Sequence, residues 1–234
     1  MTGTVHGLGL GPGDPELITL KAHRLITACP VIAYPAPDRG ESFARSIAAP
    51  FIPRGVTELP ILIPMRADRF PAQSVYDAAA EAIAGHARAG RDVAVLCEGD
   101  PFFYGSFMYL FARLAELVPV AVVPGVTSLT ACAAAAQTPL CARNEPLTVL
   151  PGPLEDSALS ARLDQGGAFA IMKVGRHLPR IRSLLESRGA AGRATYLSHA
   201  SLEAQRVLPL AEAPEAAPYF SMILIPGEDP YASA

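Results

Sequence analysis

Glu98 and Asp100 stand in the stretch C-E-G-D-P-F-F-Y-G-S at 97–106, beside Phe102, Phe103 and Tyr104. Two carboxylates offer acceptors to ribose hydroxyls or an ammonium group, and three aromatics offer flat surfaces to a purine, so the stretch suits a nucleoside. A second stretch, G-L-G-L-G-P-G-D-P-E-L-I-T at 7–19, brings a glycine-rich bend to the end of an apolar run. Its glycines let the backbone approach a ligand, Pro12 stiffens the bend, and Asp14 is placed to cap a helix starting at Pro15. Spacing rejects two nucleotide motifs. Counted from Gly7 the sixth position is Pro12 and from Gly9 it is Asp14, so G-x-G-x-x-G fails, and no G-K-[ST] follows the bend. A third stretch, V-P-G-V-T-S at 123–128, adds the hydroxyls of Thr127 and Ser128 as ligand contacts or helix caps.

Short β-rich runs and amphipathic segments must carry these stretches. Strands are expected at 4–10, 31–34, 58–63, 92–97 and 120–123, alternating with helices at 15–28, 42–49, 71–89 and 105–117. That alternation predicts a mainly parallel sheet with helices on both faces, and the doubly apolar D-V-A-V-L-C at 92–97 suits its centre. Each of the three stretches follows a strand end, where ligands collect in open α/β sheets. After 124 the pattern restarts with helices at 126–136, 155–163 and 178–188 and strands at 147–150, 168–174, 194–198, 205–210 and 220–225. The last three strands have little helix between them, which predicts antiparallel members. The expectation is an α/β chain of two domains, 1–124 with a mainly parallel sheet and 125–234 with a mixed one.

Half of the 234 residues are hydrophobic, enough for two modest cores. A net charge of −3 gives no general field for nucleic acid, so an anionic ligand has to meet local arginines. The four cysteines form no C-x-x-C pair and read as buried, reduced thiols; the five histidines show no ligand spacing, and no bound metal is expected. No apolar run is long enough to span a membrane and no leader pattern is visible, so a cytoplasmic protein is expected.

Four pieces taken together resemble the tetrapyrrole (corrin and uroporphyrinogen) methylases: G-L-G-P-G-D-P-E-L-I-T-L-K-A at 9–22, E-G-D-P-F-F-Y-G-S-F at 98–107, V-P-G-V-T-S at 123–128 and A-F-A-I-M-K-V at 168–174. They cover most of the chain in the family's order. The resemblance implies a two-domain tetrapyrrole methylase fold with a ligand cleft between the domains, and S-adenosylmethionine as cosubstrate. Within the family, A-Y-P at 33–35, L-P-I-L-I-P-M at 59–65 and the 98–107 loop look most like the branch that methylates carbon 20 of precorrin-2 in cobalamin biosynthesis. Uroporphyrinogen methylases carry an aspartate directly after the tyrosine of the second strand; here that place is Pro35, with Asp38 three residues on in a solvated loop.

Carried over residue by residue, the resemblance assigns Pro12, Glu98, Gly99, Asp100, Phe103, Thr127 and Ser128 to the methyl donor from the first domain. From the second it assigns Met172, Ala200, Tyr219, Phe220 and Ser221. Tyr104 and Asp100 are the candidate proton-handling residues. Arg143, Lys173, Arg176 and His177, nearest the motifs, are the candidates to meet the substrate's carboxylates, since arginine forks suit that geometry. A homodimer is implied as well. Two other readings stay open: the cobalt-containing form of the substrate or another corrin carbon, and, from a different class, a nucleoside-binding regulatory module. An RNA-directed methylase of the same fold is disfavoured by the missing basic stripe.

Overall fold

The computed structural model describes residues 1–63 and 72–227. The chain divides into two compact units, Met1–Thr127 and Ser128–Ala234. The first unit holds strands β1 (Val5–Gly9), β2 (Val31–Pro37), β3 (Thr57–Ile63), β4 (Val93–Cys97) and β5 (Val120–Val123) in the order β3-β2-β4-β1-β5, every pair parallel. Its helices are α1 (Leu20–Ala28), α2 (Phe43–Ala48), α3 (Ala72–Arg88) and α4 (Phe107–Leu114). Alternation along β4 explains why both faces need cover. Val93, Val95 and Cys97 join Tyr76, Ile83, Phe107 and Leu110 on the side of α3 and α4. Ala94 and Leu96 join Ile26 of α1 and Ala44 and Ile47 of α2 on the other. Each such leucine, isoleucine or phenylalanine taken fully from water contributes about 1.5–3 kcal/mol. Phe107 lies so close to β1 that a Cβ on Gly7 would overlap its ring.

Two local departures from the expected elements have clear causes. The helix expected over 15–28 is divided. Asp14 Oδ1 accepts from Glu16 N at 2.8 Å and caps only a 3-10 turn, Pro15–Leu17; Ile18 and Thr19 are extended, and Thr19 Oγ1 caps α1 by accepting from Ala22 N at 3.2 Å. Two good caps close together end one element and begin the next. Strand β2 runs past Tyr34 through three further residues, because β3 continues beside it from Pro35↔Ile61 to Pro37↔Ile63 after β4 has left at Ala33↔Val95. Pro71, the first residue of the helix expected over 71–89, lies outside the described residues, as do Pro64 and Met65. That helix closes as expected on Gly90 (φ +79°), whose N–H donates to Ala87 O at 2.9 Å.

The second unit holds β6 (Leu147–Pro151), β7 (Ala168–Met172), β8 (Thr195–Ser198), β9 (Arg206–Pro209) and β10 (Ser221–Ile225) in the order β6-β7-β10-β8-β9. The pair β6/β7 is parallel and the other three are antiparallel, as the crowding of late strands predicted. Helices α6 (Asp156–Leu163) and α7 (Leu178–Ser187) bury Leu159, Leu178, Ile181 and Leu185 against Phe169, Ile171, Tyr196 and Ile223, while α5 (Ser128–Ala135) packs on β10. Cys29, Cys97 and Cys132 are buried free thiols; Cys141, expected to be buried, is exposed in the loop ahead of β6. Among the described residues no helix is long and apolar enough to cross a membrane.

Candidate active site

The three motif loops of the first unit leave the carboxyl ends of β4, β1 and β5, which are neighbours in that order. They are joined there by backbone. Gly11 N donates to Gly99 O at 3.2 Å and Gly99 N to Gly11 O at 2.7 Å, a two-bond bridge between the first and second loops. The third loop is pressed against both: a Cβ on Gly9 would lie 2.5 Å from Gly125 N and 2.8 Å from Gly99 O, and one on Gly125 would overlap Gly99 O. No residue with a side chain fits Gly9 or Gly125. At Gly11 and Gly99 the demand is conformational instead, with φ of +79° and +64°. The Asp100 carboxylate completes the junction. Its Oδ1 accepts from Phe102 N (2.9 Å) and Phe103 N (3.1 Å), and its Oδ2 accepts from Gly125 N at 3.0 Å. Both oxygens are thus engaged in holding the second loop in shape and the third loop to it.

Around the junction, Glu98 is partly buried. Burial raises its pKa above the usual carboxylate range, opposed by hydrogen bonds from its own amide and from that of Ala44. The neighbouring Cys97 thiol is pushed up to about 12, chiefly by burial, and is therefore inert. Phe103 and Tyr104 meet edge to face at 5.3 Å, and Phe102 meets Phe111 likewise at 5.0 Å. Tyr104 is exposed and held at φ +58°, a conformation that costs a residue with a side chain about 1–3 kcal/mol.

In the second unit the other expected donor contacts gather at one end of the sheet. Met172 ends β7 directly across from Met222, the second residue of β10; Ser198 ends β8 across from Ser221, the first. His199 N donates to Phe220 O at 2.8 Å, which ties the exit of β8 to the entry of β10 and brings Ala200 beside Phe220 and Tyr219. Ser221 Oγ donates to Pro218 O at 2.7 Å. Lys173, His199 and Ser201, all just past strand ends, have φ of +57°, +51° and +68°. Of the expected carboxylate-binding residues, Lys173, Arg176 and His177 follow β7 at this same end. Burial lowers the pKa of His177, and the charges of Arg180 and Arg176 lower it further. Arg143 lies in the loop before β6, whose start pairs with the start of β7. Its loop therefore enters the sheet at the end where β7 begins, whereas the other three follow the end of β7.

Comparison with known proteins decides the family. Residues 4–214 match the family model for tetrapyrrole (corrin/porphyrin) methylases. The chain belongs to that family. The cobalamin biosynthesis protein CobIJ of Mycobacterium tuberculosis is 44% identical over 234 residues, covering 96% of this chain and 46% of its own length. The chain thus spans about half the length of the CobIJ proteins it matches. The precorrin-2 C(20)-methyltransferase of a Sinorhizobium species is 40% identical with 96% of both chains covered. The cobalt-precorrin-2 C(20)-methyltransferase of Salmonella typhimurium is 30% identical over 99% of this chain and all of its own. A uroporphyrin-III C-methyltransferase structure from Thermus thermophilus, complexed with S-adenosylhomocysteine, superposes with a TM-score of 0.65 at 26% identity, covering 96% of this chain and 92% of that one.

Features of this tetrapyrrole methylase that sequence reasoning missed fall into two kinds. Gly9 was read as a place where backbone could approach a ligand and Gly125 only as part of a motif, whereas both admit the backbone of a neighbouring loop. Met222, which ends the stretch 219–222 that the resemblance sets at the donor, was not expected beside Met172; the register of β10 pairs the two.

Proposed function

We propose that this protein transfers the methyl group of S-adenosylmethionine to the C(20) meso carbon of metal-free precorrin-2, in cobalamin biosynthesis. The observation that carries the reading is the three-loop junction, built where donor loops are expected, in a chain similar over nearly its whole length to a precorrin-2 C(20)-methyltransferase. The residues proposed as donor contacts are Pro12, Glu98, Gly99, Phe103 and Thr127 in the first unit and, taken by itself, Ser128, Met172, Ala200, Tyr219, Phe220 and Ser221 in the second. The junction fits an adenosyl group chemically, since glycine-walled backbone admits a sugar closely and carboxyl groups accept from its hydroxyls.

S-adenosylmethionine supplies an electrophilic methyl on a sulfonium. The protein's task is to align that methyl with an already enamine-like carbon, and good alignment contributes about 7–11 kcal/mol. A new carbon–carbon bond forms at C(20) as the methyl–sulfur bond breaks, S-adenosylhomocysteine leaves, and the C(20) proton passes to solvent. Tyr104, exposed and held in its unusual conformation, steers that proton. Asp100, with both oxygens engaged by amides, keeps the loop around Tyr104 in place. Lys173, Arg176 and His177 meet the substrate's acetate and propionate groups. Arg143, at the other end of its sheet, is left out.

The test is to incubate the purified chain with carbon-13 methyl donor and either metal-free precorrin-2 or its cobalt complex, and to locate the label by NMR. Label at C(20) of the metal-free macrocycle is expected. Turnover of the cobalt complex alone would favour the second reading, to which the Salmonella relative points. Donor binding without any methylation would favour a regulatory module. A cytoplasmic homodimer goes with the proposal, and light scattering would test the dimer.

A further inference from the structure

Arg180 of α7 serves two acceptors in the segment that follows β6. Its Nη2 donates to Gly152 O at 2.5 Å, and its Nη1 meets the carboxylate of Asp156, the first residue of α6. Gly152 in turn reaches the neighbouring strand: its N–H donates at 2.7 Å to the carbonyl of Met172, the last residue of β7. A side chain at 152 would be pressed into that contact, since a Cβ there would lie 2.8 Å from Lys173 O and 3.2 Å from Met172 O. These contacts close a ring. From Met172 the chain runs through Lys173 (φ +57°), buried Val174 and the 3-10 turn Gly175–His177 into α7, and Arg180 returns it through Gly152 to Met172. Lys173, Arg176 and His177, proposed to meet the substrate's carboxylates, all lie within this ring.

We infer that Arg180 is a positioning residue that holds the turn between β7 and α7 in the shape that receives the tetrapyrrole's carboxylates; this rests on the reading above of what Lys173, Arg176 and His177 meet. A guanidinium with two acceptors fixes direction as well as distance, and here one acceptor is main chain that is itself bonded to the end of β7. Arg180 acts through the turn. Both Nη atoms are engaged within its own unit, and the Asp156 carboxylate offsets its charge. With side-chain exposures of 32% and 56%, the ion pair adds little to stability. Met172 is fixed independently, paired with Pro151 of β6 on one side and Met222 of β10 on the other. Loss of Arg180 should therefore be felt by the macrocycle and hardly by the methyl donor.

The test is steady-state methylation of whichever form of precorrin-2 the chain turns over, beside calorimetric titration with S-adenosylhomocysteine. Arg180→Met is expected to raise KM for the tetrapyrrole about tenfold, the scale of one hydrogen bond to a charged group, with kcat and donor affinity little changed. Arg180→Lys keeps the charge but brings one nitrogen to two acceptors, so KM should still rise about threefold at an unchanged melting temperature. That variant decides the matter if Arg180→Met does not fold. Made in a background of Lys173→Met and Arg176→Met, Arg180→Met should add little, because the arginine acts through those side chains. A parental KM in either Arg180 variant would overturn the inference, as would fully additive losses or a donor affinity that falls as far as KM rises. If the unmodified chain methylates neither precorrin-2 nor its cobalt complex, the reading of the function fails instead.

Discussion

The two units arrange their candidate ligand contacts by different means. In the first, the loops after β4, β1 and β5 meet through main chain: a glycine bridge, two glycines that exclude any side chain, and one carboxylate spent entirely on amides. In the second, strand ends present side chains, Met172 beside Met222 and Ser198 beside Ser221, with Lys173, His199 and Ser201 held at positive φ just beyond. A site made of backbone constrains which residues can stand there. A site made of strand ends constrains only where the strands stop. Substitutions should therefore be severe and steric in the first unit, mild and chemical in the second.

The largest effect is expected at Gly125. A methyl group there would overlap Gly99 O, backbone that has no room to yield, so Gly125→Ala should destabilise the first unit by about 3 kcal/mol or more and remove donor binding. Gly99→Ala makes the contrast: no neighbour lies within 4 Å, and only its φ of +64° opposes the change, so about 1–2 kcal/mol is expected. Urea denaturation of both variants measures the difference, and equal losses would mean that steric contact is not what joins the loops. Next comes Asp100→Asn. One amide oxygen cannot replace two carboxylate oxygens accepting three N–H groups, and about 2 kcal/mol should be lost, with donor affinity falling alongside.

This contrast also explains what could be read in advance. Parallel and mixed sheets, the order of elements and three of the loops followed from periodicity and turn chemistry, because glycine, proline and capping residues act within a few positions of themselves. The splitting of the helix at Ile18 and Thr19 was hidden because either Asp14 or Thr19 alone makes a good cap. Arg143 and Arg176 were indistinguishable by proximity to motifs, and only the direction of β6 and β7 separates them. The hold of Arg180 on Gly152 joins residues 28 apart on a helix and a loop, a spacing that marks no local element.

Glu98 offers a smaller and more diagnostic effect. Its folded-state pKa is raised, so its contribution to stability is complete below the ordinary carboxylate pKa and is lost as pH rises through the elevated value. Glu98→Gln should accordingly be as stable as the parent near about pH 4 and more resistant to urea near about pH 8, where the parent carries a charge that burial opposes. Donor affinity should move the opposite way and weaken. A variant that is both less stable at high pH and unaltered in donor affinity would remove Glu98 from the site.

The smallest effects belong to the second unit's cations. Arg176 and Arg143 are both exposed, so replacing either with alanine should leave stability within about 0.5 kcal/mol. Arg176→Ala should raise KM for the tetrapyrrole about threefold at low salt, the scale of one solvent-screened ion pair, and the difference should vanish near about 1 M salt, where screening acts over about 3 Å. Arg143→Ala should leave KM unchanged, since its loop opens β6 at the end of the sheet away from Met172. If instead Arg143→Ala raised KM and Arg176→Ala did not, the substrate's carboxylates would have to be met at the opposite end of the sheet from the residues assigned to the donor, and the strand-end site would lose its role.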